Sequence, residues 1–198
     1  MSPRAPSLPP QERRRQLETA ALRVLRVRGT AATTKEIAQA AGVAEGTLFR
    51  AFGCKDDLVA AALRRAFDPR PLLATLDGID LDQPLRDRLV GAVTAIQERL
   101  VDVFDLMAAV GMIEPPDHHH HEHHGSDGSW QRQVLDRLIE IVEPDAETLR
   151  VSPSELVRLL RLLTFSGSHR QIGDGELLGP ELIVDALLDG TRRVHRCC

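Results

Sequence analysis

The chain has 198 residues, 42% hydrophobic and 27% charged, with one Trp, five Phe and no Tyr, enough apolar material for one or two small domains with real cores. Its longest nearly uncharged apolar run, Leu106 to Ile113, is far short of the ~20 residues that span a bilayer. No apolar h-region opens the chain, and three Cys, with Cys197 and Cys198 adjacent, make no disulfide framework, so a cytoplasmic protein without a membrane segment is expected. The net charge of −4 conceals a split: residues 1–67 hold 12 Lys and Arg against 6 Asp and Glu, whereas the rest holds 13 against 23. A basic end on an acidic remainder suits a chain that meets a polyanion at one end only.

Residues 1–10 are proline-rich and predict a flexible arm. The Arg13-Arg14-Arg15 run just beyond reads as a basic extension, either attracted to phosphate or a minor groove or simply solvated. Leu17, Ala20, Ala21, Val24 and Leu25 recur at helical spacing, and Gly29 then stops that helix. Thr33-Thr34-Lys35-Glu36 reads as a capping box opening a second helix over Ile37, Ala38 and Ala41, which Gly42 ends in a left-handed cap. A short helix from Glu45 to Ala51 follows, then another from Lys55 to Phe67.

Asp68-Pro69-Arg70-Pro71 punctuates the chain, which places one domain at residues 11–67 and another at 68–198. In the second, Pro84 to Met112 is a long amphipathic pattern that Pro115-Pro116 breaks. Residues 115–129 read as a mobile, polar, His-rich loop. Helical pattern resumes from Trp130 to Val142. Ser152, Pro153 and Glu155 then stand as N-cap, first residue and third residue of a Leu-rich helix. A last amphipathic helix follows Gly179-Pro180. Strand signals are nearly absent, so the predicted fold is all-α.

The tight Gly42-Val43-Ala44 turn between the second and third helices has the dimensions of a helix-turn-helix, in which the second helix of the pair enters the major groove. Leu48 and Phe52 should face the core, which leaves Thr47 and Arg50 outward. Arg grips guanine bidentately, and Thr meets thymine or a phosphate. Gly46 gives up roughly 1 kcal/mol of helix propensity, which suits a helix that a backbone or phosphate must approach closely.

On these residues the stretch Leu17–Phe67 resembles the DNA-binding domain of the TetR family of bacterial transcriptional regulators. The resemblance is carried by Arg28-Gly29-Thr30, Thr33-Thr34-x-x-Ile37-Ala38, Ala41-Gly42-Val43, Gly46-Thr47-Leu48-Phe49-Arg50-x-Phe52 and Lys55-Asp56-Asp57-Leu58. It implies a three-helix helix-turn-helix domain followed by a helical ligand-binding and dimerisation domain. It also implies DNA contacts at Thr33, Thr34, Lys35, Glu45, Gly46, Thr47, Phe49, Arg50 and Lys55. Three positions depart from the family pattern: Phe49 where Tyr is usual, Ala51 where a polar residue is frequent, and Ala44 where Ser often caps the third helix.

The resemblance further implies a repressor that binds a palindromic double-stranded DNA operator as a homodimer through its last two helices and is released by a small-molecule effector. Phe104, Met107, Met112, Trp130, Phe165 and His169 are candidate lining for that effector, because aromatics and Met make an adaptable apolar pocket with an occasional polar handle. Each of them except His169 also suits an ordinary core. No cofactor is expected. Enzyme signatures are missing: the sequence has no G-x-S-x-G elbow, H-E-x-x-H pair or phosphate-binding G-x-x-x-x-G-K-[ST].

Two alternatives stay open. His118, His119, His120, His121, His123 and His124 would chelate zinc, nickel or copper and make the regulator metal-responsive, although a polar loop lacks the fixed geometry and supporting shell of a selective site. Cys54, at a helix start where a thiol pKa can fall, would suit a helical redox or ligand-binding protein that does not bind DNA.

Overall fold

The computed structural model describes residues 8–112 and 129–191. The His-rich tract with its six candidate metal ligands, and the C-terminal Cys pair, lie outside the described residues. The described chain is all-α, without a β-strand, and none of its helices is long and apolar enough to cross a membrane. Its helices are α1 (Pro10–Arg28), α2 (Thr34–Ala40), α3 (Glu45–Phe52), α4 (Lys55–Ala66), α5 (Arg70–Asp77), α6 (Leu85–Val110), α7 (Ser129–Val142), α8 (Pro153–Gly167) and α9 (Pro180–Thr191).

Two compact units result. One holds the described residues up to Asp68 together with the end of α6 from Asp105, and the other holds Pro69–Phe104 and the segment from α7 onward. A division at residue 68 would place all of α6 in the second domain. Its last turns group instead with the first, where Leu106 is buried against Leu25 and Ala32.

In the first unit α1 packs against α2, α3 and α4. Its stripe of Leu17, Ala20 and Ala21 meets Ile37, Ala41, Leu48, Phe52, Leu58 and Ala62 in one core. The Ala positions on α1 let the short helices approach closely, while each buried Leu or Ile contributes about 1.5–3 kcal/mol of transfer free energy. The reading of the Arg13-Arg14-Arg15 run as an extension needs correction. Arg13, Arg14 and Arg15 are not an extension but lie in the first turns of α1, because Pro10 is preset for a helix start and Leu17, two turns on, is already buried.

The second unit packs α5 on α7, α7 on α8 and α8 on α9. Leu89, Val93, Leu138, Ile141, Leu156, Leu160, Ile183 and Val184 lie in its core. Helix α5 was not visible in the sequence, where Pro69 and Pro71 read only as punctuation. Proline is tolerated in a first helical turn, and Leu72, Leu73 and Leu76 pack this short segment onto the core. Arg137 on α7 holds its far end, donating to the carbonyls of Leu76 (3.3 Å) and Asp77 (3.2 Å).

Two further arginines tie the unit together. Arg88 is buried, donating to the Ile141 carbonyl at 2.8 Å and to the Asp145 carboxylate. Arg86 grips Asp185 on α9 with two bonds of 2.7 and 2.9 Å, and that pairing holds its guanidinium pKa above the ordinary value. The Ser152 hydroxyl accepts the Glu155 N–H and opens α8 as its sequence predicts.

Candidate nucleic-acid interface

The first residues of α2 are set by a complete capping box. The Thr33 hydroxyl accepts the Glu36 N–H, and the Glu36 carboxylate accepts the Thr33 N–H at 2.9 Å. Arg28 pairs with the same carboxylate at 3.3 Å. The Thr33 N–H and the Thr33 hydroxyl both donate to that carboxylate at 2.9 Å and, helped by Arg28 and Lys55, hold the Glu36 carboxyl below its usual pKa. This box turns the N-terminus of α2 outward with Thr33 and Lys35 exposed and Thr34 half-buried.

Gly42 then reverses the chain at φ +66, a conformation that favours glycine. The Gly42 and Val43 N–H groups close the turn on the Gln39 and Ala38 carbonyls. Ala44 is the N-cap of α3 and has no side-chain hydrogen bond to give it, so this helix lacks the ~1 kcal/mol a Ser cap contributes. Another bond crosses the turn: the Thr34 hydroxyl donates to the Glu45 carboxylate at 2.5 Å, linking the first residues of α2 and α3.

Helix α3 has two distinct faces. Leu48 and Phe52 are buried. Glu45, Gly46 and Arg50 are exposed, Thr47 is half-buried, and Phe49 keeps 44% of its surface in solvent. The Arg50 Nε donates back to the Gly46 carbonyl at 3.3 Å, so its guanidinium lies along the exposed face. Nothing within 4 Å would meet a Cβ at Gly46, and the fold therefore places no steric demand for glycine there. Lys55 opens α4, half-buried.

Cys54 is the N-cap of α4. Its Sγ accepts the Asp57 N–H at 3.4 Å, the place a Ser hydroxyl usually takes.

Three side chains hold this face, of which the sequence singled out only Arg14, and that as part of a basic extension. Arg14 donates to the Ala51 carbonyl, and its guanidinium stacks over the Phe52 ring. Gln16 donates to the Ala41 carbonyl at 2.8 Å, fixing the end of α2. Arg65 on α4 reaches the Arg15 carbonyl at 3.1 Å. The available signal was the helical register, since Arg14 stands three residues before buried Leu17 and Gln16 four before buried Ala20.

In the second unit the candidate effector residues divide. Phe104, Phe165 and His169 cluster, with Phe104 edge-on to Phe165 at 5.2 Å and to His169 at 4.9 Å. The His169 Nδ1 is buried without a hydrogen-bond partner. Trp130 packs against the main core of the same unit. Met107 and Met112 fall in the other unit, where the Met112 N–H caps α6 on the Met107 carbonyl at 2.9 Å past Gly111.

The sequence did not point to a shallow, solvent-open depression of about 500 Å³ lined by Gln97, Glu98, Val101, Asp102 and Leu177. Buried Gln97 donates to the Leu178 carbonyl at 2.7 Å and so fixes one wall of it.

Comparison with known proteins places this geometry. Residues 18–62, which run from α1 into α4, match the family described as bacterial regulatory proteins, tetR family. Among solved structures, a TetR transcriptional regulator from Streptomyces coelicolor is similar at 22% identity, over 91% of this chain and 99% of that one, with a TM-score of 0.53. A second tetR-family regulator from that organism is similar at 21% identity, over 90% of this chain and 78% of that one, with a TM-score of 0.59. NalD of Pseudomonas aeruginosa, the secondary repressor of a multidrug efflux pump, is similar at 18% identity, over 93% and 99%, with a TM-score of 0.50. At such identities the structures speak for the fold. No curated protein matches the sequence.

Proposed function

We propose, from the premise that the N-terminal domain of this chain is the DNA-binding domain of TetR-family bacterial transcriptional regulators, that the protein is a homodimeric repressor released from a palindromic operator by a small-molecule effector. The observation that carries the reading is the division of α3: Leu48 and Phe52 are in the core while Gly46, Phe49 and Arg50 face solvent. A recognition helix needs that division, because base edges are read only by side chains the fold does not use. Thr47 and Arg50 read the groove. Thr33, Thr34, Lys35 and Lys55 meet the phosphate backbone, and Phe49 adds an apolar contact.

The homodimer forms through α8 and α9. Leu162 and Phe165 on α8 and Leu182 on α9 leave 57%, 48% and 59% of their surfaces exposed, large apolar groups that a partner surface would remove from water. Arg158 and Arg161 flank the α8 stripe, and Glu181 and Asp189 flank α9, all exposed. A two-fold axis that sets α8 against the partner's α9 brings opposite charges together. An effector seated beside Phe104 and His169 reaches this interface through Phe165, whose ring touches Phe104 and is half exposed. Differential affinity for two dimer arrangements then changes the spacing of the recognition helices.

Selection of bound sequences from a random double-stranded pool, followed by anisotropy titration of the winner at several salt concentrations, tests the reading. An enriched inverted repeat, bound with steep salt dependence, supports it. No enrichment by a folded dimer would falsify it.

A further inference from the structure

The proposed recognition face carries one charge of the wrong sign. Glu45, the first residue of α3, is exposed and accepts the Thr34 hydroxyl at 2.5 Å. Glu36, the other carboxylate at this end, is already held by Thr33 and Arg28. A hydroxyl has a single proton to donate, and Thr34 spends it on Glu45, so none is left for a phosphate until that bond breaks. Breaking it leaves an exposed carboxylate beside a polyanion. Among the base edges in a major groove, the customary partner of a Glu carboxylate is the N4 amine of cytosine, because the other amine, N6 of adenine, stands beside the N7 acceptor.

We infer that Glu45 is a specificity-determining residue that exchanges its bond to Thr34 for the N4 amine of a cytosine, freeing Thr34 for the neighbouring phosphate. The inference rests on the DNA-binding reading above. On DNA without that cytosine, Glu45 keeps the Thr34 proton and repels the backbone. With the cytosine in place both side chains find partners. The penalty on other sequences is thus part of the selectivity, which is a difference of affinities.

Random-pool selection with the full-length wild type and with Glu45→Gln tests this. The Gln carbonyl oxygen can still accept the Thr34 hydroxyl, so the substitution removes the charge with little change in shape. Glu45→Ala serves as a second variant, and thermal melting shows that each is folded. The wild type is expected to enrich cytosine at one position of each half-site, and Glu45→Ala, which has no acceptor for the amine, to lose that preference. Glu45→Gln should also bind a scrambled duplex about fivefold tighter, the scale of removing one like-charge contact near 4 Å in water. Replacing that cytosine should weaken wild-type binding roughly tenfold and leave Glu45→Ala little changed.

If the wild type enriches an operator but Glu45→Ala selects the same sequence and Glu45→Gln binds scrambled DNA no tighter, Glu45 merely braces the turn and the inference fails alone. If the wild type enriches nothing, the DNA-binding reading and this inference fail together.

Discussion

The guanidinium of Arg14 lies 4.2 Å over the ring of Phe52, and its Nη1 donates to the Ala51 carbonyl at 2.5 Å. These contacts hold the last turn of α3 against the first turns of α1, so an arginine that looks available for DNA is spent on aiming the recognition helix. A cation over an aromatic face contributes about 0.5–1 kcal/mol at an exposed site, and the hydrogen bond adds to it. Arg14→Ala should therefore lower stability by roughly 1–2 kcal/mol in urea unfolding. Operator affinity should fall without a change in salt dependence. A salt slope smaller by about one would instead make Arg14 a phosphate ligand.

Gly46 and Arg50 should separate folding from recognition. A Cβ at Gly46 meets nothing in the protein, and Ala gains up to about 1 kcal/mol of helix propensity. Gly46→Ala is expected to melt higher and bind the operator more weakly, and unchanged binding would show that nothing comes close there. Arg50→Ala should cost about 1–3 kcal/mol on the selected operator and relax one base preference. Equal losses on cognate and random duplex would reduce Arg50 to a phosphate contact.

Gly29 and Gly42 both have positive φ, at +55 and +66, yet they should respond differently to alanine. A Cβ at Gly29 would stand 2.2 Å from the Ala109 carbonyl oxygen on α6, whereas at Gly42 it meets nothing within 4 Å. Gly42→Ala carries only the left-handed penalty of about 1–2 kcal/mol. Gly29→Ala adds a backbone clash and should lose clearly more in urea unfolding. Similar losses for the two would mean that the end of α6 yields easily.

The capping box makes α2 acid-sensitive. Because the Glu36 carboxyl is held below its ordinary 4.5 in the folded chain, it contributes stability above that value. The contribution disappears as pH falls through the lower folded-state pKa. Thermal melting from pH 6 down to about pH 3 should show a steeper loss for the wild type than for Glu36→Gln. Parallel curves would show that the box adds nothing through its charge.

Leu162→Asp combined with Leu182→Asp should leave the subunit folded, because both side chains are more than half exposed. Sedimentation velocity is expected to show monomers in place of dimers, with loss of tight operator binding. Dimers that persist would put the two-fold interface elsewhere.

Much of this molecule follows from neighbours in the sequence. The Thr33–Glu36 box, the Gly42 reversal, the Ser152 cap of α8 and the buried Leu48–Phe52 pair each depend on groups within five residues of one another. Backbone hydrogen bonding and helical periodicity act over just that range, which is why the all-α character and the outward residues of α3 were legible. Tertiary structure decided the rest. It converted the Arg13–Arg15 run into the start of α1, made a helix of Arg70–Asp77 by packing its leucines, and joined Thr34 to Glu45 across a turn. It also gathered Phe104, Phe165 and His169 while assigning Met107 and Met112 to the other unit. Those outcomes depend on which faces meet across tens of residues, and helical periodicity states only that a face is apolar, not which face covers it.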